Sequence, residues 1–179
     1  LRVPSAERSA FARDVISGLT ATPKRLSPKY FYDETGCRLF EKITALPEYY
    51  PTRVEMSILT ARATEIAALV PQGAALVEFG TGTTEKARIL LGATDKFSAY
   101  VPVDIAEESL RREADAVARD FPDLTVRPVA ADFLQPFNLP QAVHGKPLIG
   151  FFPGSTIGNF EPHEASAFLQ RRCCSASTS

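Results

Sequence analysis

Val77-Glu78-Phe79-Gly80-Thr81-Gly82-Thr83-Thr84-Glu85-Lys86 runs from an apolar strand pattern through two glycines into a helix start. Gly80 and Gly82 let bare backbone approach a nucleotide closely, because glycine takes conformations that side chains forbid. Alone, Gly-x-Gly is a weak signal. A dinucleotide fingerprint needs a third glycine where this chain has Glu85, and a carboxylate at a helix N-terminus repels a pyrophosphate. An NAD(P)-dependent oxidoreductase therefore rests only on the strand-Gly-x-Gly-helix order. A nucleoside cofactor without phosphates, such as S-adenosylmethionine, tolerates the acid, and polar groups near the turn can hold its ammonium-carboxylate end.

Outward from this turn, short apolar runs alternate with helical periods. Candidate strands lie at 75–79, 99–103, 124–129 and 148–152. Between the first three, Ala87, Leu90 and Leu91, then Leu110, Ala114 and Val117, each share one helix face. This rhythm predicts parallel β-α-β units, hence a Rossmann-like α/β fold. Residues 133–146 are rich in proline and polar residues and read as loop. Asp104 closes the second strand, 24 residues after Gly80, where an acid in this topology meets ribose hydroxyls. Asp132 and Phe133 close the third, offering an acceptor for an exocyclic amine and a ring for a base. A single aspartate after a strand is often plain turn chemistry; three strand ends carrying consistent pieces are not. Lys86 is open between a solvated helix residue and a contact to a cofactor carboxylate.

The first 71 residues read as a helical region. Phe11, Val15, Ile16 and Leu19 predict an amphipathic first helix. Leu39, Phe40 and Ile43 give a short second one, and four of the five tyrosines lie in the loops around 27–33 and 46–51. Thr52-Arg53-Val54-Glu55 matches a capping box for a third helix, traced by Val54, Ile58, Ala61, Glu65 and Leu69. Residues 72–170 read as a nucleotide-binding domain, ending in a glycine-containing loop at 153–160 and a helix opened by Pro162 with Ala165, Phe168 and Leu169 on its apolar face. Residues 171–179 continue no hydrophobic period and read as an irregular tail.

Composition narrows the function classes. The 179 residues are 45% hydrophobic and 23% charged, and the net charge is −1. That balance supplies no electrostatic footprint for nucleic acid or an anionic membrane. No apolar run reaches the roughly 18 to 20 residues that cross a bilayer, and no signal-peptide pattern opens the chain, so a cytoplasmic protein is expected. Three cysteines, two of them adjacent at 173–174, predict neither a structural disulfide nor a zinc site. Cys37 reads as a small buried residue, and His144 and His163 as surface residues. No metal is implied, and no Ser-His-Asp or Cys-His constellation points to a covalent intermediate.

Several segments in order carry a resemblance: Lys29-Tyr30-Phe31-Tyr32-Asp33, Leu46-Pro47-Glu48-Tyr49-Tyr50-Pro51-Thr52-Arg53, Glu78-Phe79-Gly80-Thr81-Gly82-Thr83, Val101-Pro102-Val103-Asp104, Ala131-Asp132-Phe133, and Phe151-Phe152-Pro153-Gly154-Ser155-Thr156-Ile157-Gly158-Asn159-Phe160. Together they resemble the histidine Nα-methyltransferases of ergothioneine biosynthesis, over almost the whole chain to about Gln170. The resemblance implies a class I S-adenosylmethionine-dependent methyltransferase that methylates the α-amino group of L-histidine stepwise to hercynine. It implies that Tyr32, Gly80, Gly82, Lys86, Asp104, Asp132 and Phe133 face the cofactor. Tyr49, Gly154 and Asn159 face the amino-acid substrate, with Tyr49 and Asn159 at the reacting amine. Without it, Tyr49 reads as packing and Asn159 as a turn residue.

Members of this family continue well past Ser179. The serine- and threonine-rich end is expected to mark a frameshift or a truncated gene model, leaving the 148–152 strand with an unpaired edge. The exact chain is then expected to be marginally stable, aggregation-prone and poorly active. The alternatives are a related amino-acid or amine methyltransferase and a non-catalytic remnant that binds S-adenosylmethionine.

Overall fold

The computed structural model describes residues 5–31 and 33–174. The chain opens with three helices, α1 (Ser5–Thr20), α2 (Glu34–Thr44) and α3 (Pro51–Leu69), with a 3-10 turn at Pro28–Phe31 between the first two. The order then becomes β1 (Ala74–Phe79), α4 (Glu85–Gly92), β2 (Phe97–Asp104), α5 (Glu107–Asp120), β3 (Thr125–Val126), β4 (Val129–Ala130), β5 (Leu148–Phe151) and α6 (Pro162–Cys174). The sheet order is β3-β2-β1-β5, β4 also pairs with β2, and every pairing is parallel. A Rossmann-like α/β fold is therefore present. All six residues of β1 are buried, as expected of a central strand covered on both faces.

Alternation along the strands sorts the core into two layers. Ala74, Leu76 and Tyr100 pack with Leu90 and Leu91 of α4 and Val117 of α5. On the opposite face, Val77, Phe79, Val101 and Val103 pack with Val143 and Phe168. That second layer contains a ring cluster in which Phe79, Phe133, Phe152 and Phe168 meet with centroids 5.1–6.3 Å apart. The cluster fixes Phe133 and Phe152, the residues that follow β4 and β5.

The structure corrects the sequence reading at four places. The single third strand, 124–129, is two short strands flanking Arg127-Pro128. Pro128 has no N–H to continue the ladder; Arg127 N still donates to Tyr100 O at 2.9 Å. Helix α3 has no capping box: it starts with Pro51 at its first position, Tyr50 is the N-cap, and no side chain caps it. Its packed face is also different. Val54, Ile58 and Leu69 are exposed, whereas Ala63 and Ala67 are buried, because small residues let α3 lie close against α4. Finally, α6 continues through Cys174 where a tail was expected from Arg171. Arginine is a good helix former, and a helix needs no apolar period to propagate one more turn. Residues 175–179 lie outside the described residues.

Two expectations are met in part. The first helix forms, yet its apolar face is left open, with Phe11, Ile16 and Leu19 all exposed; Leu39, Phe40 and Ile43 of α2 are exposed likewise. Phe168 of α6 is buried while Leu169 is exposed. Strand β5 pairs only with β1 among the described residues, so its other edge is open. None of the described helices is long and apolar enough to cross a membrane.

Candidate active site

A cleft of about 1050 Å³ opens at the carboxyl ends of the strands, beside the point where the order reverses between β1 and β5. In an open parallel sheet this is where ligands bind. It is lined by Gly80–Gly82 after β1, Asp104 at the end of β2, Asp132 and Phe133 after β4, and Gly154 and Asn159 after β5, with Tyr49 and Glu55 from the helical region. Among its described lining residues, seven carboxylates stand against three basic side chains, so the cleft suits a cationic ligand.

The glycine turn has the geometry that only glycine adopts readily: φ is +70° at Gly80 and +53° at Gly82. Gly80 N donates to Val103 O at 2.9 Å, which ties the turn to β2. A Cβ at Gly80 would meet the Phe133 ring at 3.5 Å, and one at Gly82 would meet nothing within 4 Å. Gly82 therefore leaves open space on the cleft side. Asp104 is held by backbone: Oδ1 accepts from Ala106 N at 2.9 Å, and Gly82 N lies 3.4 Å from Oδ2. An ionised carboxylate has about four acceptor positions, so Asp104 keeps capacity for two further hydroxyl donors.

Asp132 repeats the pattern. Its Oδ1 accepts from Leu134 N at 2.9 Å, and Lys29 Nζ approaches Oδ2 at 3.8 Å. Lys29 arrives from the 3-10 turn and also approaches Asp14 at 3.6 Å. Tyr30 donates to Asp14; desolvation and that partner push the Tyr30 phenol up to about 12. Tyr32 lies outside the described residues.

Lys86 sits at the first turn of α4 with its side chain 14% exposed, and its Nζ donates to Glu55 Oε2 at 2.5 Å. The other oxygen of Glu55 accepts from Gly154 N at 2.7 Å. Sequence reasoning assigned Glu55 to a cap and so missed it as a cleft residue. Gly154 has φ +81° and Ser155 has φ 57°, the left-handed region that costs a non-glycine residue energy. This tight reversal leads into the 3-10 turn Thr156–Asn159, which brings Asn159 to the cleft.

Tyr49 meets Phe40 edge to face at 5.8 Å and 82°, so its packing and cleft-lining roles coexist. The turn that carries it is held by Arg53, whose guanidinium donates to Leu46 O at 2.9 Å and Pro47 O at 2.5 Å. The Pro-Thr-Arg run thus has a local reason. Arg53→Met is expected to lower stability by about 1 kcal/mol, since both bonds are solvent-exposed, and to broaden the Tyr49 ring signals; urea titration and proton NMR check this.

Beneath the glycine turn Glu78 is fully buried and accepts a hydrogen bond from the Tyr100 hydroxyl. Burial pushes the Glu78 carboxyl up to about 8, against the opposing pull of Tyr100 and Lys86. Burial and the Glu78 charge push the Tyr100 phenol up as well. Cys37 also lines the cleft, and burial raises its thiol. His163 lines it too, whereas His144 Nε2 lies 3.2 Å from Leu139 O outside it.

Comparison with known proteins gives this cleft its context. The chain is 43% identical over 163 residues to the histidine N-alpha-methyltransferase of Mycobacterium tuberculosis, covering 89% of this chain and 50% of that protein. It is 35% identical over 156 residues to ergothioneine biosynthesis protein 1 of Neurospora crassa, covering 83% and 17%. It is 29% identical over 167 residues to a 4-dimethylallyltryptophan N-methyltransferase of Claviceps purpurea, covering 87% and 47%. The chain thus spans about half or less of the length of these relatives. The family model described as histidine-specific methyltransferase, SAM-dependent, matches residues 11–177, and the chain belongs to that family.

Proposed function

We propose that the chain carries the cofactor site and part of the substrate site of an S-adenosylmethionine-dependent N-methyltransferase that acts on the α-amino group of L-histidine, yielding hercynine for ergothioneine biosynthesis. The observation that carries this reading is the contact of Asp104 with Gly82 N, which puts the glycine turn and the acid of the next strand on one edge of the cleft. The absence of a phosphate-binding set at Glu85, and the acidic lining of the cleft, support a cationic nucleoside over a dinucleotide. When bound, S-adenosylmethionine supplies a methyl group on a sulfonium.

The residues divide the work as follows. Asp104 would accept the ribose hydroxyls, Asp132 the exocyclic amine, and Phe133 would cover the base, with Tyr32, Gly80, Gly82 and Lys86 completing the cofactor side. Tyr49, Gly154 and Asn159 would hold the amino acid. A nitrogen must present a neutral lone pair in line with the methyl donor, and fixed orientation is the main acceleration such a site supplies. The face of Tyr49 would stabilise the cationic nitrogen by about 0.5–2 kcal/mol. In this reading residues 1–71 act as a substrate-side helical region and 72–170 as a partial cofactor domain. The site needs neither a metal nor an enzyme nucleophile.

The Claviceps relative, named for a tryptophan derivative, favours a second reading in which the amine acceptor differs. Calorimetric titration of S-adenosylmethionine and S-adenosylhomocysteine tests the cofactor half. A methyl-transfer assay over histidine, tryptophan and other amines tests the acceptor. Histidine turnover above the other amines is expected. Binding without turnover over the whole panel would mark a non-catalytic binding protein instead.

A further inference from the structure

Glu55 reaches from α3 into the cleft, and its two oxygens serve partners from distant parts of the chain. Oε2 accepts from Lys86 Nζ at 2.5 Å, and Oε1 accepts from Gly154 N at 2.7 Å. The two donors also lie close to one another, since a Cβ on Gly154 would stand 3.4 Å from Lys86 Nζ. Side-chain exposure is 14% for Lys86 and 31% for Glu55, so water screens the cluster incompletely. Charge-assisted hydrogen bonds of this kind are roughly twice as strong as neutral ones. They act here on a long lysine stem and on a backbone amide in a left-handed reversal.

We propose that Glu55 is a positioning residue that couples the two halves of the reaction centre. From one carboxylate it sets the Lys86 ammonium on the cofactor side and the Gly154 amide on the substrate side. This rests on the reading given above of Lys86 and Gly154. The coupling has a definite sign. If Glu55 orients its partners, neutralising it weakens cofactor binding; if it merely fills the place of a ligand carboxylate, neutralising it tightens binding.

The test titrates S-adenosylhomocysteine into the parent chain, Glu55→Gln and Glu55→Ala, while NMR follows the Gly154 amide with and without the ligand. Glu55→Gln is nearly isosteric, so a matching thermal midpoint shows that the fold survives. Affinity is expected to fall roughly tenfold in Glu55→Gln and further in Glu55→Ala. The Gly154 amide should shift along the binding curve in the parent and cease to do so in both variants. Its hydrogen exchange in the free protein should quicken at least about tenfold in Glu55→Ala. Unchanged or tighter binding by a folded variant overturns the proposal. A parent that binds no S-adenosylhomocysteine overturns the cofactor reading instead, and Gly154 exchange in the free variants then decides the bridge, because unchanged exchange overturns it.

Discussion

Glu78→Gln is expected to abolish most of the pH dependence of folding between about pH 5 and pH 8 and to make the protein more stable at pH 8. Glu78 is fully buried under the glycine turn, and burial lifts its carboxyl from 4.5 to about 8. The folded protein therefore keeps a proton that the unfolded chain releases above about 4.5. Each pH unit inside this window weakens the fold by at most about 1.4 kcal/mol. The contribution is fully present below about 4.5 and is lost as the pH rises through about 8. The whole effect is on the order of 5 kcal/mol, large against a domain stability of about 5–15 kcal/mol. Glutamine has no proton to lose, and its carbonyl still accepts from Tyr100. Alanine would confound the test by leaving that phenol unpartnered beside a cavity. Urea titrations at pH 5, 6.5 and 8 measure the slopes. Equal slopes in parent and variant would show that Glu78 titrates as an ordinary carboxylate.

What the sequence discloses divides by the range of the interaction that decides each feature. The runs around β1 and β2, and the Leu110, Ala114, Val117 face of α5, are readable because their burial follows from period alone. Pro128 was equally visible, and the missing N–H that splits the third strand could have been inferred from it. The face of α3 could not, because two apolar stripes compete along it and only contact with α4 selects Ala63 and Ala67. Glu55 is the sharpest case. Thr52 to Glu55 has the spacing of a cap, but a proline at the helix start already removes one orphan N–H, and the carboxylate goes to an amide 99 residues away. Asp104, Asp132 and the two glycines were legible as pieces because strand ends in this topology meet at one edge. Lys29 beside Asp132 was not, since a loop lysine carries no period that points to its partner. The resemblance over residues 29–33, 46–53 and 151–160 marked Tyr49, Gly154 and Asn159. Position in the cleft accompanies that reading for all three, while their roles toward a substrate rest on the assays proposed above.

Asp104→Ala is expected to lower the affinity for S-adenosylhomocysteine at least about a hundredfold, because two hydrogen bonds to an ionised acceptor disappear together. The argument starts from what already holds Asp104. Ala106 N fixes Oδ1 and the Gly82 amide borders Oδ2, so the carboxylate is oriented before any ligand arrives, and little ordering cost offsets the bonds it forms. Those same contacts complicate the alanine variant, which could loosen the glycine turn as well as remove the acceptor. Asp104→Asn separates the two effects. Its carbonyl oxygen can still accept from Ala106 N, which keeps the shorter of the two backbone ties and gives up only the 3.4 Å contact with Gly82 N, while its amide group donates where a hydroxyl pair needs a second acceptor. Asparagine should therefore keep the parent thermal midpoint and still bind tens of times more weakly. A histidine titration is the companion measurement, since histidine has no ribose and its affinity should change little in either variant. If Asp104→Asn binds S-adenosylhomocysteine as the parent does, the acid at the end of β2 is turn chemistry alone, and the nucleoside must be held by another edge of the cleft.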